Sequence, residues 1–80
     1  MGMTNLEKYN DIFINRFQPN GIPLEQLTYQ SVQLWDSVGH MGLIAELEEL
    51  FDIMMDTDDI IDFSSYEKGK EILKKYGITL

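Results

Sequence analysis

A chain that signals helix starts from one end to the other, and offers only one strand-like fragment, has no sheet to build. Thr4-Asn5-Leu6-Glu7 has the form of a capping box, with Thr4 as the cap and Glu7 three positions on; Ser64-Ser65-Tyr66-Glu67 repeats that form near the other end. Between them Asp36 precedes Ser37 and an apolar run, and Thr57-Asp58-Asp59-Ile60-Ile61 sets an oxygen-bearing cap and two carboxylates before two inward-turned apolar residues. The competing fragment, Leu27-Thr28-Tyr29-Gln30-Ser31-Val32, has β-branched and aromatic content but no second run to pair with. The expectation is an all-α, up-and-down bundle: main helices over about 5–17, 37–51 and 64–76, a short one over about 57–61, and a long first loop.

Periodicity assigns the inward faces. In the first helix they are Leu6, Tyr9, Phe13 and Phe17, with Ile12 beside them, before Pro19-Asn20-Gly21 stops the helix. In the second, Val38, Met41, Ile44, Ala45, Leu47 and Phe51 recur at helical spacing, while Glu46, Glu48 and Glu49 supply a charged face. The last helix turns Gly69, Ile72, Leu73 and Tyr76 inward, with Lys74 and Lys75 near its C-terminal end and Gly77 as a left-handed terminator. Gly69 is read as a point of close approach by another helix. Loops as long as the one over 18–36 are uncommon and are usually functional or contain a short turn of helix; Ile22, Leu24, Leu27, Val32 and Leu34 are apolar enough to pin this one to the core.

Eighty residues make one small domain, near the lower limit for a self-sufficient core. Its hydrophobic fraction of 44% separates it from a disordered acidic tail. With 6 Lys and Arg against 14 Asp and Glu, a net charge of -8 argues against a nucleic-acid partner and favours basic protein surfaces. There is no cysteine, hence no disulfide framework and no thiolate for zinc or for nucleophilic catalysis; any thiol must come from an added group. No apolar run approaches membrane-spanning length and no secretory signal opens the chain, so a cytoplasmic monomer without membrane contact is expected.

Chemistry concentrates at Trp35-Asp36-Ser37-Val38-Gly39-His40-Met41. Asp36 is placed to accept a hydrogen bond from an unpaired first-turn N–H, which leaves Ser37 at the positive end of the helix. An anionic ester on the Ser37 hydroxyl would meet free N–H groups and the favourable end of the helix dipole.

Asp36-Ser37, the apolar Val38, and the downstream Leu47-Glu48-Glu49-Leu50-Phe51 resemble the attachment motif and second helix of the acyl carrier protein family, at a spacing that covers almost the whole chain. The resemblance implies a four-helix carrier fold and a non-catalytic carrier. In that family a phosphopantetheinyl transferase esterifies the motif serine, here Ser37, with 4'-phosphopantetheine from coenzyme A, and the thiol of that arm carries acyl or aminoacyl groups as thioesters. It also implies that Val38, Met41, Glu46, Glu48 and Glu49 meet basic docking patches on the transferase, a loading ligase and later enzymes. Ile44, Leu47, Ile60 and Ile61 would line a cargo pocket, with Ile60 and Ile61 as its gate, although core packing explains those two equally well. Gly39 and Gly42 stand where the fatty-acid carriers typically have acidic residues. Trp-Asp-Ser-x-x-His-Met looks more like the stand-alone carriers of bacterial secondary or surface-polysaccharide pathways.

Competing readings are weaker on residue detail. A calcium loop begun at Asp56 puts Ile60 at the fifth position and Ile61 where glycine is required, so no metal site is assigned. Ser37 and His40 share a helix face but lack a nucleophile elbow and oxyanion donors, which argues against a hydrolase. His40 is left to contact the prosthetic arm, contact a partner, or simply be exposed. Trp35 reads as a hydrophobic anchor closing the loop, or, if exposed, as an interface residue. The alternative to a carrier is a small acidic helical adaptor that binds a basic partner and bears no prosthetic group.

Overall fold

The computed structural model describes residues 2–80. Its elements are α1 (Asn5–Phe17), a single 3-10 turn (Leu24–Gln26), α2 (Ser37–Phe51), α3 (Thr57–Asp62) and α4 (Tyr66–Lys75). Among the described residues there is no strand, and the all-helical class follows from the sequence as expected.

Each helix starts and stops for a local reason. Thr4 closes a complete capping box with Glu7, and Gln18 ends α1 in the left-handed conformation at φ 46. Asp36 caps α2 through the Gly39 N–H at 2.8 Å, and Asp52 ends it, also left-handed. Two expected caps are displaced. α4 is capped by Ser65, whose side chain accepts from the Lys68 N–H, so the box starting at Ser64 does not form and the helix begins at Tyr66. α3 follows Asp56 rather than Thr57, and no side chain caps it.

The displacement at Ser64 has a tertiary cause. Its carbonyl accepts the Tyr29 N–H at 2.8 Å, while Leu27 accepts the Tyr66 N–H at 3.0 Å, a lone antiparallel bridge centred on Thr28 and Ser65. The fragment rejected as a strand thus clips the first loop to the α3–α4 junction. Leu27 is fully buried beside this clip, whereas Ile22 and Leu34, expected to pin the loop, are exposed.

An aromatic column fills the centre. Trp35, completely buried, lies parallel to Phe17 at 4.9 Å, and Phe13 packs its edge or face against Trp35, Phe63 and Tyr66. Each such side chain removes roughly 150–250 Å² from water, the principal driving force in a domain this small. The polar ends of the column are paired: Tyr9 donates to the Tyr66 carbonyl at 2.7 Å, and Tyr66 donates to Asn10. Burial raises both phenols above their ordinary pKa. Gly69 is buried with the Tyr9 hydroxyl of α1 and the Phe63 ring in the space where a Cβ would stand, so the close approach of another helix expected at this glycine is present.

The inward face of α2 differs from the periodic reading. Leu43, Ile44 and Leu47 are buried, while Met41 and Val38 are exposed and Ala45 faces solvent. Apolar side chains surround this helix, so its sequence does not select a face; contact with α1 does.

Candidate functional site

Ser37 is the first residue of α2 and is exposed. Helix geometry leaves the first-turn N–H groups without intrahelical partners. Asp36 takes that of Gly39, and those of Ser37 and Val38 remain directed out of the helix end. Two glycines in this region have tertiary reasons. A Cβ at Gly39 would collide with the Leu34 backbone carbonyl, and one at Gly42 would meet the Arg16 guanidinium.

Ser37 stands at the rim of a cavity of about 330 Å³ whose other lining residues are Tyr29, His40, Met41, Ile60, Ile61, Phe63 and Ser64. Of the residues expected to form a cargo pocket, Ile60 and Ile61 are here, with Ile61 72% exposed rather than turned inward. Ile44 and Leu47 are not: both are core residues, at 1% and 0% exposure. Tyr29 and Phe63 had no local signal, since each comes to the cavity through tertiary contacts.

His40 forms the inner wall, and its role is structural. The Trp35 indole N–H donates to Nδ1 at 3.0 Å, and Nε2 lies 2.8 Å from the Ile60 carbonyl. With Nδ1 accepting, Nε2 carries the proton and donates, so both ring nitrogens are committed and neither serves Ser37 as a base. Ile60 lies in the last turn of α3, where carbonyls have no intrahelical partner. One imidazole therefore satisfies the buried indole of the loop and the end of α3 together.

The acidic residues divide. Glu46 pairs with Arg16 at 2.7 Å, and Glu48 accepts the Met55 N–H at 2.9 Å, so both are engaged within the chain. Glu49 is exposed, as are Val38 at 79% and Met41 at 56%. Asp59, read from sequence as a helix-start carboxylate, is buried at 6% exposure and binds Lys75 Nζ at 2.6 Å and the Tyr76 hydroxyl at 2.5 Å. Those two hydrogen bonds hold its carboxyl below the ordinary carboxylate pKa, and the same contact raises Lys75. Asp59 thus ties α3 to the end of α4.

A larger open groove of about 620 Å³ runs along Met3, Lys8, Asp11, Ile12, Glu46, Glu49 and Leu50. It shares no residue with the cavity at Ser37 and has no convergent nucleophile or acid–base pair. Among the described residues no helix is long and apolar enough to cross a membrane.

The arrangement presents a hydroxyl at a helix N-terminus, outward amides beside it, and a mainly apolar recess next to it. That set fits a phosphate ester on Ser37 with a flexible extension reaching the recess. No family model, curated protein or solved structure matches this chain.

Proposed function

We propose that this protein is an acyl carrier of the acyl carrier protein type, with 4'-phosphopantetheine attached to Ser37. The observation that carries the reading is the exposed Ser37 hydroxyl on the first residue of an Asp36-capped helix, at the rim of an apolar recess. The arm supplies the thiol that this cysteine-free chain lacks, and with it the means to hold acyl or aminoacyl groups as thioesters. The chain's own residues do the rest. Asp36 fixes the helix start, the Ser37 and Val38 amides stabilise the ester phosphate, and Tyr29, Met41, Ile60 and Ile61 offer the extension an apolar wall. Val38, Met41 and Glu49 form the exposed surface offered to a transferase, a loading ligase and later enzymes.

The exposed apolar side chains Val38, Met41 and Ile61 favour a second reading, an adaptor that binds a partner through this patch and bears no arm. Intact-protein mass after incubation with coenzyme A, Mg2+ and a broad-specificity phosphopantetheinyl transferase separates the two. One added phosphopantetheinyl group on the natural sequence and none on Ser37→Ala supports the carrier. No addition to a folded protein by an active transferase favours the adaptor.

A further inference from the structure

We propose that the cavity beside Ser37 has a closed floor, that it accepts only a short acyl or aminoacyl group, and that His40 is the residue that shuts the interior to longer chains. The proposal names the cargo class and so rests on the carrier reading of Ser37.

The cavity of about 330 Å³ is bounded by two kinds of wall. The rim consists of side chains able to adjust, Met41 and Ile61 above all, both more than half exposed. The floor cannot adjust in the same way. It is Phe63, fully buried, flanked by His40 at 6.1 Å and stacked on Phe13 at 6.5 Å.

Beyond the floor the space is already filled. Phe13, Trp35, Leu43 and Leu47 all have 0% exposure. His40 lies beside Phe63 and bridges α2 to α3, hydrogen-bonded to Trp35 on one side and to the Ile60 carbonyl on the other. Swinging the ring aside would strand a buried indole N–H and a helix-end carbonyl against apolar atoms, which a hydrocarbon chain cannot repair. A long chain would leave the groove for solvent; a short group would fit within it.

The chain has no cysteine, so Ser37→Cys carries a single thiol to which haloacetamides bearing methyl to dodecyl groups can be coupled without any transferase. The protein also has one tryptophan, hence one indole N–H resonance, which reports on the His40 contact. The expected result is that the shortest adduct shifts the Met41, Ile60 and Ile61 methyl signals, and that lengthening it leaves the Trp35 indole and Leu47 methyls in place. Progressive movement of Trp35 and Leu47 with chain length, or no response of the groove to a short adduct, overturns the proposal. With His40→Ala added, Leu47 is expected to respond to the dodecyl adduct; silence in a folded variant removes His40 from the role. Should that variant not fold, Met41→Ala widens the rim and keeps the latch, and a Leu47 response there overturns the closed floor. Failure of the natural sequence to accept phosphopantetheine would sink the carrier reading alone, because the tethered series does not depend on it.

Discussion

The indole N–H of Trp35 donates to His40 Nδ1 at 3.0 Å, and the opposite nitrogen of the same ring meets the Ile60 carbonyl at 2.8 Å. A tryptophan with no exposed surface and the end of a short helix are thereby held by one side chain. His40→Ala removes both partners at once and leaves the indole N–H buried. The expected loss is about 1–3 kcal/mol, the usual desolvation penalty of one unpaired buried group, read from the urea midpoint. Amide exchange in α3 should accelerate more than in α1; equal acceleration would mean that His40 does not hold α3.

The Asp59 cluster sets how stability depends on pH. Hydrogen bonds from Lys75 and Tyr76 hold the Asp59 carboxyl below its ordinary 3.8, so its contribution is complete above that value and is lost as pH falls through the depressed one. Lys75 is raised above 10.5 by Asp59, so its contribution is complete below that value and is lost as pH rises through the raised one. Melting temperature against pH should therefore fall at both ends. Asp59→Asn should lower the plateau and flatten the acid limb. Glu7, held down by the Thr4 backbone N–H and hydroxyl, keeps part of that limb in the variant. An unchanged acid limb would show that the pairing does not contribute.

The glycines of α2 should respond oppositely to alanine. Replacing a helical glycine gains about 1 kcal/mol of propensity. At Gly39 the new methyl would strike the Leu34 carbonyl, which is backbone and cannot step aside, so Gly39→Ala should be net destabilising. At Gly42 the obstacle is the end of the flexible Arg16 side chain, so Gly42→Ala should lie between neutral and about 1 kcal/mol more stable. Denaturant unfolding of the two variants checks the contrast, and equal effects would refute it.

Asp36→Ala removes the cap on Gly39 and should cost about 1 kcal/mol in denaturant unfolding. On the carrier reading the rate of phosphopantetheine addition should fall by more than the unfolded fraction accounts for. A normal rate in the folded variant would confine Asp36 to capping.

The candidate site was legible only where its logic is local. Asp36 and Ser37 could be found because a cap and the residue after it lie within one turn. The recess could not, because Tyr29 and Phe63 stand on separate segments, and Ile44 and Leu47, though close to Ser37 in sequence, turn into the core. Glu46 and Glu48 read as a solvated acidic face until Arg16 and the Met55 N–H, both outside α2, claimed them.

The same division runs through the fold. By itself the sequence determined the helical class and most helix ends, because capping oxygens, left-handed stops and apolar spacing act over a few residues. Only the tertiary structure decided which side of α2 is buried, since apolar side chains encircle that helix and packing on α1 had to choose among them. Tertiary contact likewise moved the start of α4 from Ser64 to Ser65, placed Asp59 under Lys75, and turned His40 from a neighbour of Ser37 into the tie between Trp35 and α3. Each joins elements that propensity and periodicity treat separately, and a buried polar group takes whatever partner the packed chain brings within reach.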